Sequence, residues 1–154
     1  MIKLKDLLLE GKPPSIFVPR RIKDRVERMI SLYIRNGSKG NLSLSGLNLT
    51  KLPDILKDIS VGGSFYCYSN KLTSLENCPK TVGGNFNCSI NELTSLKGAP
   101  TSIGISFYCS NNKLTSLEFT PTNVGRDFHC NDNPVKFTEE QVRDVCDVKG
   151  KVYV

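Results

Sequence analysis

Thr81-Val82-Gly-Gly-Asn-Phe86-Asn-Cys88-Ser-Ile-Asn91-Glu-Leu93-Thr-Ser-Leu96-Lys-Gly-Ala-Pro100 decides the fold, because its pattern recurs at a fixed step of 21 residues on either side. Phe65, Phe86, Phe107 and Phe128 keep that step, as do Cys67, Cys88, Cys109 and Cys130, and Asn70, Asn91, Asn112 and Asn133. Leu-Thr-Ser-Leu recurs verbatim at 72–75, 93–96 and 114–117, with Pro79, Pro100 and Pro121 four residues after each. Val61-Gly62, Val82-Gly83, Ile103-Gly104 and Val124-Gly125 obey the same spacing. A fixed period in the range of about twenty to fifty residues marks a solenoid, whose units bury apolar surface only against their neighbours.

Asn87-Cys88-Ser89 and its equivalents alternate inward and outward, as a short strand must when one face is buried. Asn91 and its counterparts then turn the chain by hydrogen-bonding neighbouring backbone. The Pro-containing segment lacks a backbone donor and is short, so the opposite side of each unit should be extended or turn-like rather than helical. Stacking the units predicts a parallel sheet with strands about 4.8 Å apart.

The unit G-x-x-F-x-C-x-x-N-x-L-T-S-L resembles the leucine-rich repeat, with Phe and Cys at two of the leucine positions, from Leu42 to Val135. The resemblance implies an α/β leucine-rich-repeat solenoid, mainly β. Its short parallel concave sheet would have about six strands, between N-terminal and C-terminal capping helices and with a non-helical convex side.

The flanks fit this organisation: a basic N-terminal segment and capping helix (1–40), repeats of 21–23 residues (41–137), and a C-terminal capping helix and strand (138–154). Leu4, Leu7 and Leu8 give residues 1–10 helical spacing, which Gly11-Lys-Pro-Pro14 breaks. Ile22, Val26, Met29, Ile30 and Tyr33 predict a helix with one buried face between Pro19 and Asn36, stopped by Asn36-Gly37. Leu42 to Leu49 reads as an atypical first unit, with Leu47 where later units have Asn, and a short helical turn is expected around Pro53 to Ile59. Thr138-Glu-Glu-Gln141 is a capping box that opens a helix with Val142, Val145 and Cys146 on its apolar face. Lys151-Val-Tyr-Val154 reads as a last strand closing the sheet edge.

Charge is uneven along the chain. Of 21 basic and 15 acidic residues, ten and four lie before Asn41, so the remaining eleven of each cancel and the whole net charge of +6 belongs to the N-terminal part. No apolar run reaches the roughly 20 residues of a membrane span, and residues 1–10 lack the small-residue cleavage site of a secretory signal. A non-membrane protein, not secreted by a signal peptide, is expected.

The six cysteines invite a metal or disulfide reading, which the geometry of a stacked sheet opposes. Four of them should form a linear ladder in the core, and a linear ladder cannot surround one zinc ion at about 2.3 Å. Neighbouring rungs lie slightly beyond the usual disulfide window. Buried thiols acting as small hydrophobes are expected, with no metal and no cofactor. His129 is the single histidine, its neighbour Cys130 should face the other side of the strand, and no GxxxxGK[ST] loop is present, so no enzyme is expected.

Binding is what remains. The outward strand positions are Asn41, Ser43, Ser45; Ser64, Tyr66, Tyr68; Asn85, Asn87, Ser89; Ser106, Tyr108, Ser110; and Asp127, His129, Asn131. This nearly uncharged face, rich in Tyr, Asn and Ser, suits a protein partner, with Tyr66, Tyr68, Asn85, Asn87, Tyr108, Asp127, His129 and Asn131 as candidate contacts. A second candidate is the helix stripe Arg21, Arg25, Arg28 and Arg35, suited to DNA phosphates or an acidic partner.

Asn36-Gly-Ser-Lys-Gly40, Val82-Gly-Gly84 and Lys149-Gly-Lys-Val-Tyr-Val154 are similar to segments of small leucine-rich-repeat proteins of large tailed bacteriophages. That resemblance implies viral origin, in the host cytoplasm or the virion. Leu8-Leu9-Glu10 before Gly11 also resembles the site at which such phages trim proteins packed into the head, which implies processing after Glu10.

Overall fold

The structure, a computed structural model, describes residues 20–154, and side chains from Ile22 onward. The expectations for residues 1–19, including Glu10 and Gly11, and for the side chain of Arg21 lie outside the described residues.

The chain forms an α/β fold of parallel strands with a helix near each end. Helix α1 spans Arg20–Arg35 and buries Val26, Ile30 and Tyr33, with Ile22 and Met29 packed beside them, as the apolar spacing predicts. Its turn-off is fixed by Tyr33, whose hydroxyl donates to the Ser38 carbonyl at 2.5 Å and accepts from Gly62 N at 3.2 Å.

One sheet has six two-residue strands: β1 Leu42–Ser43, β2 Phe65–Tyr66, β4 Phe86–Asn87, β6 Phe107–Tyr108, β8 Phe128–His129 and β10 Val152–Tyr153, in that order. The register puts Leu42, Phe65, Phe86, Phe107, Phe128 and Val152 in one row, so the sequence step becomes a lateral step in the sheet. The Phe side chains are fully buried; Phe65, Phe86 and Phe107 stack, with ring centroids 5.7 Å apart for Phe65 and Phe86 and 5.5 Å for Phe86 and Phe107, and Phe107 meets Phe128 edge to face at 5.1 Å. Cys67, Cys88, Cys109 and Cys130 form the adjoining buried row. All six cysteines are free thiols, and burial raises each of their pKa values, to about 11 for Cys130 and Cys146 and further for the others. Among the described residues, no group of three or more His, Cys, Asp or Glu is arranged to hold a metal ion.

The turning asparagines bind one unit to the next. Asn91 Nδ2 donates to the carbonyls of Cys67 and Cys88 at 3.0 and 3.1 Å, while its Oδ1 accepts from Leu72 N at 3.0 Å. Asn70, Asn112 and Asn133 repeat the arrangement. The amides, buried at Asn70, Asn91 and Asn112 and half-buried at Asn133, therefore satisfy backbone groups that would otherwise cost about 1–3 kcal/mol apiece to leave unpaired when buried.

The other side of each unit is extended as expected, with a 3-10 turn at Asp54–Asp58, but it also forms a second sheet that the side-chain pattern does not predict. Strands β3 Thr81–Val82, β5 Ser102–Ile103, β7 Asn123–Val124 and β9 Asp147–Val148 pair in parallel, their Val and Ile side chains buried. The glycine after each of the first three is needed for close approach: a Cβ on Gly83, Gly104 or Gly125 would collide with the carbonyl of Gly62, Gly83 or Gly104 in the unit before.

Helix α2, Glu139–Val145, starts with the expected capping box, in which Gln141 N donates to Thr138 Oγ1 at 3.2 Å and Thr138 N to Gln141 Oε1 at 2.9 Å. Val142 and Cys146 are buried, but Val145 is half-exposed, so the helix buries a narrower face than its apolar residues suggested. No helix among the described residues is long and apolar enough to cross a membrane.

Candidate partner-binding face

Two outward columns run across the six-stranded sheet. The register aligns Ser43, Tyr66, Asn87, Tyr108, His129 and Tyr153 in the first. Tyr68 and its equivalents Ser89 and Asn131 follow two residues later in the second, with Ser110 buried at the position between the last two. The first column is an aromatic ladder at its C-terminal end: the His129 ring stacks on Tyr108 at 4.4 Å and on Tyr153 at 4.2 Å, within 17° and 8° of parallel. At the other end Tyr66 and Tyr68 meet edge to face at 6.3 Å. Burial between the two tyrosines lowers the His129 pKa, against the opposing pull of the Asp127 carboxylate.

Tyr153 belongs to this face although it stands outside the candidate residues named from sequence. Its place is hidden because the step from His129 to Tyr153 is 24 residues, three more than the period, since α2 is inserted between the last two strands.

Asn85 and Asp127 have a different occupation from the one expected. They belong with Asn41, Ser64 and Ser106 to a column that bridges adjacent strands. Asn41 Oδ1 accepts from Ser64 N at 2.8 Å, Ser64 Oγ from Asn85 N at 3.0 Å, Asn85 Oδ1 from Ser106 N at 3.0 Å, Ser106 Oγ from Asp127 N at 3.2 Å and Asp127 Oδ1 from Lys151 N at 3.0 Å. Ser64 and Ser106 are buried rather than outward, as is Ser110, whose hydroxyl donates to Asn131 Oδ1 at 2.7 Å. The parity of a strand places these first residues outward, but short side chains carrying an acceptor oxygen fold back to the next backbone N–H. The recurrence of Asn, Ser and Asp at this one position was the available signal.

Tyr66, Tyr108 and His129 are half-buried in their columns, Tyr68 and Tyr153 are exposed, and the half-buried Asn87 accepts from Ser89 N at 2.9 Å. The surface therefore offers flat rings and amides with one carboxylate, Asp127, which is itself paired with Arg126 at 3.3 Å. Rigid rings of this kind supply contact area at low entropic cost.

The second candidate surface is α1. Arg25, Arg28 and Arg35 are exposed along it and make no ion pair among the described residues, where the helix holds only Lys23 with Glu27 at 3.8 Å. Exposed Leu32 interrupts the stripe. The chain matches no protein-family model and no curated protein.

Proposed function

We propose that the chain is a leucine-rich-repeat-type solenoid that acts as a non-enzymatic protein-interaction module, encoded by a phage, with the ring-bearing face of its six-stranded sheet as the partner site. One observation supports this most: Tyr66, Tyr68, Tyr108, His129 and Tyr153 line one face, while the sheet beneath is held by other side chains, the Phe, Cys and Asn rows. Asn87 and Asn131 add polar contacts around the rings. Tyr66→Ala combined with Tyr108→Ala should abolish capture of host-cell proteins while the melting temperature stays near that of the parent. Capture unchanged in the double variant refutes the assignment.

A second reading rests on Arg25, Arg28 and Arg35, exposed and without an ion pair among the described residues, and on the charge concentrated before Asn41. In it the protein is packaged in the virion, trimmed between Glu10 and Gly11, and contacts DNA or an acidic partner through α1. DNA affinity would then fall steeply with added salt, which a Tyr and Asn interface would not do. Intact mass of the protein from purified virions tests the trimming, and a chain still beginning at Met1 counts against it.

A further inference from the structure

The two sheets end differently at the C-terminal side. The last strand of the four-stranded sheet, β9, is blocked by Arg143 of α2, whose guanidinium donates to the Val148 and Gly150 carbonyls at 2.8 and 2.9 Å and also holds Glu139. Among the described residues, no side chain covers the last strand of the six-stranded sheet in this way. Phe128 N and Cys130 N donate to the carbonyls of Lys151 and Tyr153, so those two residues face β8. Backbone groups alternate along a strand, which leaves the N–H and C=O of Val152 and Val154 directed away from the sheet. Tyr153 and Val154 are exposed beside them, as is Val145 on the helix that lies against β10.

We propose that β10 is a self-complementary edge that pairs antiparallel with β10 of a second copy about a two-fold axis. In that register Val152 of one copy and Val154 of the other exchange both backbone hydrogen bonds, twice over by symmetry, and Tyr153 sits opposite its own counterpart in the intervening non-hydrogen-bonded pair. The ladder Tyr108, His129, Tyr153 then continues through the counterpart rings, turning two six-stranded sheets into one.

Charge favours this end for association. The surplus of +6 lies before Asn41, whereas residues 138–154 carry three basic residues (Arg143, Lys149, Lys151) against four acidic ones (Glu139, Glu140, Asp144, Asp147). At the opposite end of the core Val26, Ile30 and Tyr33 of α1 join the apolar cluster, with the Tyr33 hydroxyl accepting from Gly62 N.

An edge of this length makes a small interface, so the dimer should build up between about 10 µM and 1 mM. Sedimentation of the full chain tests it, together with Tyr153→Lys, which places like charges directly opposite each other and should leave only monomer. Tyr153→Cys supplies a geometric check. The pair across the axis would have Cβ atoms about 4.5–5.5 Å apart, near the disulfide window, so diamide should oxidise the two thiols to an inter-copy disulfide. Ser43→Cys, at the far end of the same column, should not cross-link, and the six native thiols are buried. A wild-type chain that stays monomeric at 1 mM overturns the proposal. Species larger than a dimer, or equal cross-linking at 43 and 153, would overturn it too.

Discussion

In the six-stranded sheet each regular strand sends a Phe inward and a Tyr, Asn or His outward, whereas in the four-stranded sheet each strand sends Val or Ile inward and the first three are followed by a glycine pressed against the preceding unit. Both are generated by one 21-residue step from one chain. The difference lies in what closes the distance between units. Phe rings and Asn amides fill it on one side, so the outward positions there are released from structural duty and can vary between Tyr, Asn and His. Backbone meets backbone on the other side, where the outward positions are Thr, Ser, Asn and Asp that hydrogen-bond their neighbours in places, as Ser102 does with Asn123 at 2.6 Å. The first sheet has side chains available for a partner; the second is a packed wall.

The largest effect should come from emptying the row that separates units in the first sheet. Phe107 lies between Phe86 and Phe128 with no exposure, and Phe107→Ala removes both ring contacts at once. A loss of about 4 kcal/mol is expected in chemical denaturation, and a loss below about 1 kcal/mol would mean that the ring row is not what holds the units apart. In the second sheet the corresponding test is an addition. Gly104→Ala puts a methyl where the Gly83 carbonyl lies, forcing the two units apart, with an expected cost of about 2 kcal/mol. Tyr108→Ala, one residue from Phe107 but outward, should cost far less than either, and equal losses at 107 and 108 would erase the distinction between the faces.

Much of this can be read in the sequence, for a physical reason. A lateral row in a parallel sheet is a period along the chain, so the recurrence of Phe65, Phe86, Phe107 and Phe128 already says which rings touch. The second sheet is hidden because two-residue strands such as Thr81–Val82 leave no alternation to detect, and because its contacts are made by backbone, which the side-chain pattern reports only through recurring Gly83, Gly104 and Gly125. The face is legible at Tyr66, Tyr68, Asn87, Tyr108, His129 and Asn131. It is not at Asn85 and Asp127, where strand parity says nothing about a short side chain bending back to its neighbour, nor at Tyr153, beyond the inserted helix.

Each side of the unit also has a left-handed column, and each column contains one misfit. Asn48, Ser69, Asn111 and Asp132 have φ between 54° and 56°, and Ile90 shares that position at 55°; Asn77 and Gly98 are followed by Phe119 at 64°. Asn visits this region at little cost, whereas a β-branched side chain loses about 1–2 kcal/mol there. Ile90 is half-exposed and returns little burial. Ile90→Asn should therefore stabilise the protein by about 1 kcal/mol, read from the denaturation midpoint. A destabilised variant would show that Ile90 makes a packing contribution larger than its strain.

The smallest expected effect belongs to His129, the single histidine, and separates the two sheets by pH. Its folded pKa is lowered because the Tyr108 and Tyr153 rings take it out of water, with the Asp127 carboxylate pulling the other way. The unfolded chain restores the ordinary value near 6.5. In the window from that value down to the lowered one, the unfolded state binds more protons than the folded state, so stability falls as the solution is acidified and is complete only above the unfolded pKa. Carboxylates titrate largely below this window, which leaves the imidazole as its main source. Denaturation midpoints at pH 7.5 and 5.5 should differ for the parent and converge for His129→Gln, which keeps a polar side chain in the column without a titrating ring. A parent chain equally stable at both values, or a variant that keeps the full pH dependence, would show that the Tyr108 and Tyr153 stack does not hold the neutral imidazole, and that the outward column is as inert to its solution as the glycine wall behind it.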